Sequence, residues 1–223
     1  MALPSPETQF KVASEAAQVF VDHYYEALTR RRPLNGFYAS TSARLTAAGV
    51  KPDISVNGLP CADVAAYEAL LEAQGGPVAY DVGSFDAHPV NPHYRAGEPD
   101  DNINININSN NHLGGGGGGA ATAAAATVRN GDRMSFAVQV SGTIRYGRGH
   151  NATGEDSSSN KGGANSFGGG GVAAGGDAKP EDAVQEKDFN EAFLLVPHWE
   201  AWARNAPRGL RKWVIVSQNF RAL

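Results

Sequence analysis

Asp22, His23, Tyr24 and Tyr25 follow one another in this sequence, and Asp81 lies further on. Carboxylates, an imidazole and phenols are the groups that transfer protons in an enclosed pocket, so these five are the candidate catalytic set. A pocket also needs empty volume and polar groups aimed into it. The alternation of MSFAVQVSGTIRYG at 134–147 works against that. It puts Met134, Phe136, Val138, Val140, Gly142, Ile144 and Tyr146 on one side of a strand, which fills an interior instead of lining a site. Tyr24 is therefore expected to be a core tyrosine with a hydrogen-bonded hydroxyl, and no catalysis is expected.

Metal and phosphate chemistry fare no better. His88 and His93 are separated by two prolines, a poor arrangement for shared ligation, and no metal or other cofactor is expected. The run Gly114–Gly119 invites a phosphate loop, but no Lys-Ser or Lys-Thr follows it and no strand feeds a helix start there. Cys61 is the single cysteine, which excludes an internal disulfide. The net charge of −4 and pI near 5.8 give no global basic field for nucleic acid. Local basic runs remain at Arg30, Arg31 and Arg32, and at Arg208, Arg211 and Lys212. No apolar run approaches the roughly 20 residues of a membrane span. The start MALPSPETQF lacks the pattern of a signal peptide, so a soluble intracellular protein is expected.

The elements that must position these residues read as follows. Apolar residues at Val12, Ala16, Val19, Phe20, Tyr24, Ala27 and Leu28 predict a helix over 8–30, its last turn carrying the basic run and Pro33 stopping it. A short helix or helical turn follows at 35–45. ISVNGLP at 54–60 predicts a hairpin through Asn-Gly, and Asp63 caps a third helix that ends at Gly75-Gly76-Pro77. Strands are predicted over 77–90, 134–147, 188–199 and 211–222. Helices followed by long strands make an α+β fold: a curved antiparallel sheet with the helices packed on its concave side.

Two tracts interrupt this order. Residues 92–131 are rich in Asn, Gly and Ala, and residues 148–187 in Gly, Ser and Asn. Neither has enough apolar surface to offset its ordering entropy, so both are read as disordered insertions in strand connections. Without them about 140 residues remain, the size of one domain with one core, here 6–223.

One strand breaks the alternation. In FNEAFLLV at 189–196, Phe189, Phe193 and Leu195 point one way, while Ala192, Leu194 and Val196 point the other. A sheet with one wet face should alternate, so both sides are expected to be covered. Helices cover one. With no spare element in the chain, the expected cover of the other is a second polypeptide.

The segments FVDHYYEALTRRR (20–32), ISVNG (54–58), FDAHPV (85–90), VSGTIRYG (140–147), DFNEAFLLVP (188–197) and KWVIVSQNFRAL (212–223) occur in this order. Together they resemble the nuclear transport factor 2-like family, and within it the small subunit of the heterodimeric mRNA export receptor, in its fungal form with a long loop after VSGTIRYG. The resemblance spans nearly all of the structured residues and neither tract. It implies a cone-like curved sheet whose outer face docks on the related domain of a large subunit. It also implies that the acid before the strand end HPV, Asp86, pairs with a base of the partner, and that Arg221 pairs with a partner acid. Strand parity groups Asp86 with Ser84 and Val82, and Arg221 with Asn219 and Ser217. Asp86, Ser84, Arg221, Asn219 and Ser217, with Gln139, Ser141, Leu194 and Val196, are the expected docking residues. The resemblance further implies that the heterodimer binds Phe-Gly nucleoporins, chiefly through the large subunit, and shuttles between nucleus and cytoplasm. Sequence-independent RNA contact is assigned to Arg30, Arg31, Arg32, Arg208, Arg211 and Lys212. No membrane and no small-molecule substrate is implied. The alternatives are a homodimeric transport carrier of the same fold and an isomerase- or dehydratase-type enzyme with a cone pocket.

Overall fold

Ser5 opens the first helix: its hydroxyl accepts from the Thr8 amide at 3.2 Å, and Pro6 follows at the first helical position. Helix α1 runs Pro6–Thr29. Arg30 caps it, and Arg31 turns left-handed with φ 49°, so the Arg30–Arg32 run lies just past the helix and not in its last turn. The buried stripe is Ala13, Ala17, Phe20, Val21, Tyr24, Tyr25, Ala27 and Leu28. It is rotated from the predicted one in the first half of the helix. Small alanines there let the helix approach the sheet, and Val19 is left in solvent.

The computed structural model describes residues 3–75, 78–99, 130–146, 185–203 and 205–223. After α1 come two 3₁₀ turns, Asn35–Phe37 and Ala39–Thr41, and a short α2, Ala43–Ala47. The predicted hairpin forms as β1, Asp53–Val56, and β2, Leu59–Cys61. Asn57 and Gly58 at its tip have φ 51° and 83°, the double left-handed turn that matches strand twist. Asp63 caps α3, Val64–Ala73, by accepting from the Ala66 amide at 2.8 Å. Four long strands complete the chain: β3, Val78–Asn91; β4, Ser135–Tyr146; β5, Gln185–Pro197; and β6, Trp213–Ala222.

These form one sheet in the order β2-β1-β6-β5-β4-β3. Its pairs are antiparallel except β1 with β6, which are parallel, so the sheet is mixed and not purely antiparallel. The hairpin joins the far edge of β6 after a helical excursion, and Asn57 ties it down by accepting from the Ala222 amide. Three bulges interrupt the described strands, at Gly83 opposite Ser141–Gly142, at Val90 opposite Ser135–Phe136 and at Val216 opposite Leu194–Leu195. Gly142 is obligatory, because a Cβ there would sit 2.1 Å from the Asp81 carbonyl oxygen and 3.0 Å from the Phe189 ring. The main core lies between α1 and the inner face, where Phe136, Val138, Val140, Phe189, Phe193 and Phe220 meet Phe20 and Tyr24.

Both tracts are shorter than the composition suggests. Residues 92–99 and 130–134 are held together: the Tyr94 amide donates to the Arg133 carbonyl, the Trp199 indole donates to the Ala96 carbonyl, and Glu98 accepts from His93 and Arg133. Tyr94 also packs beside Trp199, apolar surface that a compositional average hides. Residues 185–187 pair with 144–146 and lengthen the β4–β5 hairpin. The remainder of the two predicted insertions lies outside the described residues.

Candidate partner-docking face

The sheet has two polar regions, one on each face. On the inner face, Tyr24 is fully buried and its hydroxyl accepts from the Gln218 amide nitrogen at 2.9 Å. The same nitrogen donates to Glu191 at 2.6 Å, and Tyr25 donates to the other Glu191 oxygen at 2.6 Å. Tyr38 donates to the Gln218 carbonyl oxygen, and Tyr67 lies 3.4 Å from the Tyr24 hydroxyl. Burial pushes the Glu191 carboxyl up to about 7, against the two hydrogen bonds that lower it, and raises the Tyr24, Tyr25 and Tyr67 phenols.

The candidate catalytic set is not assembled. Asp22, His23 and Asp81 face solvent, where Asp22 accepts from Gln18, His23 meets the Val19 carbonyl and Asp81 pairs with Arg145. Tyr24 and Tyr25 alone enter the core. Sequence reasoning missed Glu191, although the parity that sends Phe189, Phe193 and Leu195 inward also sends residue 191 inward. A cleft of about 700 Å³ lies between α1 and β3, floored by Val21, Tyr25, Tyr80, Val82 and Phe85. Glu191 does not line it, and the Tyr25 hydroxyl that reaches toward that acid is already bonded to it.

The outer face is built by strand register. One row across the sheet runs Asp86, Gln139, Ala192, Asn219 and Ser55. The next runs Ser84, Ser141, Asn190 and Arg221, and on the opposite side of the first lie His88, Ala137, Leu194 and Ser217. Asp86, Gln139, Ala192 and Arg221 are exposed, while Ser141, Asn190, Leu194, Ser217 and Asn219 are half-buried. Ser141 donates to Asn190 at 2.6 Å. The Asn219 side-chain oxygen is enclosed without a hydrogen-bond partner among the described residues. These three rows are thus short-chained, amide-rich and lightly charged, with Leu194 and the alanines their apolar part, while Asp81, Arg145, Glu186 and Asp188 lie further along the same face.

Val82, grouped with Asp86 by parity, and Val196, an expected docking residue, do not belong to it. Val82 faces the core, because the bulge at Gly83 reverses the alternation between it and Ser84. Val196 is fully buried in a second cluster with Ala39, Leu45, Trp199 and Val214. The bend at Val216 turns the end of β5 under these segments, so this chain covers Val196 and no second polypeptide is needed there. The other predicted docking residues, Asp86, Ser84, Gln139, Ser141, Leu194, Ser217, Asn219 and Arg221, are brought together.

The basic runs have local contacts. Arg30 and Arg32 pair with Glu26 at 2.7 and 3.7 Å, and Arg31 donates to the Gly75 carbonyl. Arg211 lies 3.5 Å above the Phe37 ring and Lys212 4.7 Å above Trp202, while Arg208 is exposed.

Solved structures carry the same architecture. A chain of the complex of a Sac3N peptide with Mex67:Mtr2 superposes with a TM-score of 0.64 at 26% identity, over 95% of this chain and 99% of that one. A chain of the Chaetomium thermophilum Mex67 NTF2-like domain complexed with Mtr2 gives 0.63 at 26%, over 95% and 98%. Mtr2 itself gives 0.61 at 25%, over 95% and 99%. The chain has the nuclear transport factor 2-like fold, of the Mtr2 type. No family model and no curated protein sequence matches it. The likeness therefore rests on three-dimensional structure together with about a quarter of the residues. On the outer sheet face, Arg145 pairs with Asp81 and Glu186, whereas Asp86 and Arg221 have no ion partner among the described residues.

Proposed function

We propose that this Mtr2-like chain is the non-catalytic small subunit of an mRNA export heterodimer, docking through its outer sheet face on the related domain of a Mex67-type large subunit. The observation that carries this reading is the pair Asp86 and Arg221. They lie beside rows of short uncharged side chains in a fold similar to Mtr2, and neither has an ion partner among the described residues. Isolated opposite charges on a flat face select a partner that presents the complementary signs. The unpartnered Asn219 oxygen adds an acceptor for a partner's donor. The inner face supports the non-catalytic part, since its one carboxylate is closed off by Tyr25 and Gln218.

In this role the chain stabilises the large subunit's domain, and the pair together binds Phe-Gly nucleoporins and shuttles between nucleus and cytoplasm. RNA contact, where it occurs, is sequence-independent, through Arg208, Arg211 and Lys212 beside the partner's own basic surface. Arg30–Arg32 contribute less, because Glu26 and the Gly75 carbonyl already engage them. The test is co-expression with the nuclear transport factor 2-like domain of a Mex67-type protein, followed by size-exclusion chromatography with light scattering. A 1:1 complex that Asp86→Arg disrupts is expected. Failure of the wild-type chains to co-elute would overturn the reading.

A further inference from the structure

The sheet ends at β3, whose outer edge pairs with no strand among the described residues. Such an edge presents a row of backbone amides and carbonyls that another chain can pair with. The inner cover also stops short there. Tyr80, Phe85 and Ala87 on β3 are half-buried, whereas their cross-strand partners Ile144, Val140 and Val138 on β4 are buried. Helix α1 seals β4 and leaves the apolar side chains of the edge strand partly in solvent, where Tyr80, Val82 and Phe85 floor the cleft of about 700 Å³. Gly83 has no residue opposite it in the ladder and lines the same cleft without a side chain. Beyond it, residues 84–88 pair with β4 in unbroken register until Pro89, which has no amide to donate.

Acids border this edge on both sides. Asp81 and Asp86 stand on the outer side of β3, and Asp22 and Glu26 on α1 at the rim of the cleft. The bases nearby are already engaged: Arg30 pairs with Glu26 at 2.7 Å, and Arg145 with Asp81 at 3.2 Å. Asp22 accepts from Gln18, and neither it nor Asp86 has an ion partner among the described residues.

We infer that the free edge of β3 is a second docking site, taking an extended segment of another protein as an added strand in which apolar and basic residues alternate. The backbone of the segment pairs with the outward amides and carbonyls of residues 84–88. The alternation follows from the pleat, because successive side chains of the added strand turn to the inner and the outer side. Those turned inward lie beside Phe85 and Ala87 and bury the half-covered apolar strip, so they are apolar. Those turned outward stand about 5 Å from the side chains of β3, next to Asp86, so they are basic. An acidic segment would be repelled by Asp86 on one side and Asp22 on the other. A wholly apolar one would desolvate Asp86 without pairing it. The site uses the rim of the sheet and its inner side, so it does not depend on the large subunit.

The test is calorimetric titration of the full chain alone with a seven-residue peptide alternating lysine and valine. Saturable binding is expected, weakening as salt rises. A peptide of the same composition with its lysines grouped at one end should bind at least about tenfold more weakly, because it cannot turn one kind of side chain to each side. Asp86→Lys sets like charge beside the outward lysines and should weaken binding by about tenfold, and Asp22→Lys by less. Hydrogen exchange should slow at alternate amides of residues 84–88 when the peptide is bound, and not on the opposite edge strand β2. Equal binding by the grouped peptide would reduce the effect to charge attraction, and protection that misses β3 would place the peptide elsewhere. Either result, or no saturable binding, overturns the inference. Binding that appears only after deletion of 103–127 would assign the edge to the chain itself and overturn it as well. The heterodimer is untouched by all of these outcomes, since no large subunit is present in the titration.

Discussion

The two faces of the sheet carry similar polar residues in opposite conditions. Inside, Glu191, Gln218 and the tyrosines at 24, 25, 38 and 67 satisfy one another, so the buried polar network ties α1, the 35–41 turns and α3 to strands β5 and β6. Outside, Asp86 and Arg221 have no ion partner and the Asn219 oxygen no hydrogen-bond partner among the described residues. A polar group whose bonds are complete in the monomer is structural. One left open on a face of short side chains is available to a second protein. The comparison teaches that an acid beside tyrosines is not evidence of catalysis until its hydrogen bonds have been counted.

The largest expected effect tests the inner face. Gly142→Val forces a Cβ against the Asp81 carbonyl and the Phe189 ring, and should destabilise the chain by about 3 kcal/mol or more, read as loss of the cooperative thermal transition. Glu191→Ala leaves Tyr25 and Gln218 without their acceptor in a dry core and should cost about 3 kcal/mol in urea denaturation. Glu191→Gln keeps an acceptor for Gln218 and a donor for Tyr25 and should cost less. The pH dependence separates the two variants from wild type. The native carboxyl, at about 7, holds a proton that the unfolded chain releases near 4.5. The Glu191 contribution to stability is therefore fully present below that lower value and falls by roughly 3 kcal/mol as pH rises to 7. Both variants should flatten this slope, and an unchanged slope would mean that another group titrates.

The outer face should respond differently. Asp86→Arg is expected to weaken heterodimer formation by about 2 kcal/mol in calorimetry. It should shift the lone chain's unfolding by no more than about 0.5 kcal/mol, because the residue is exposed and unpaired. Equal losses in both measurements would erase the distinction between the faces. Gly58→Ala, at φ 83° in the hairpin tip, should cost about 1 kcal/mol without altering either face. Deletion of 103–127 is expected to have the smallest effect, leaving thermal stability and co-elution with the large domain unchanged.

Much of this was legible in the residue order, and the reasons are local. Asn57-Gly58 specifies its turn because few residue pairs tolerate two left-handed conformations in succession. Asp63 specifies a helix start because its carboxylate reaches an amide three residues on. The alternation from Met134 to Ile144 specifies which side is buried because successive strand residues point oppositely. That the proposed docking residues share the outer face was legible to the same extent, and the parity reading failed at Val82 and Val196. In both places a bulge reverses or bends a strand, and a bulge is set by how two distant segments fit together, with no signal in either segment alone.

Sequence pattern alone was enough for which segments become helix or strand, where they start and stop, and which strand side faces the core over unbroken stretches, since those outcomes depend on neighbours within a few residues. The fold was required to decide that β1 lies parallel to β6, that Val196 is covered by Ala39, Leu45 and Val214, and that Glu191 is hydrogen-bonded by Tyr25 and Gln218. Each of these joins groups more than a dozen positions apart. Their energies arise from contacts that exist only after the chain has closed, and no local propensity encodes which distant group will arrive.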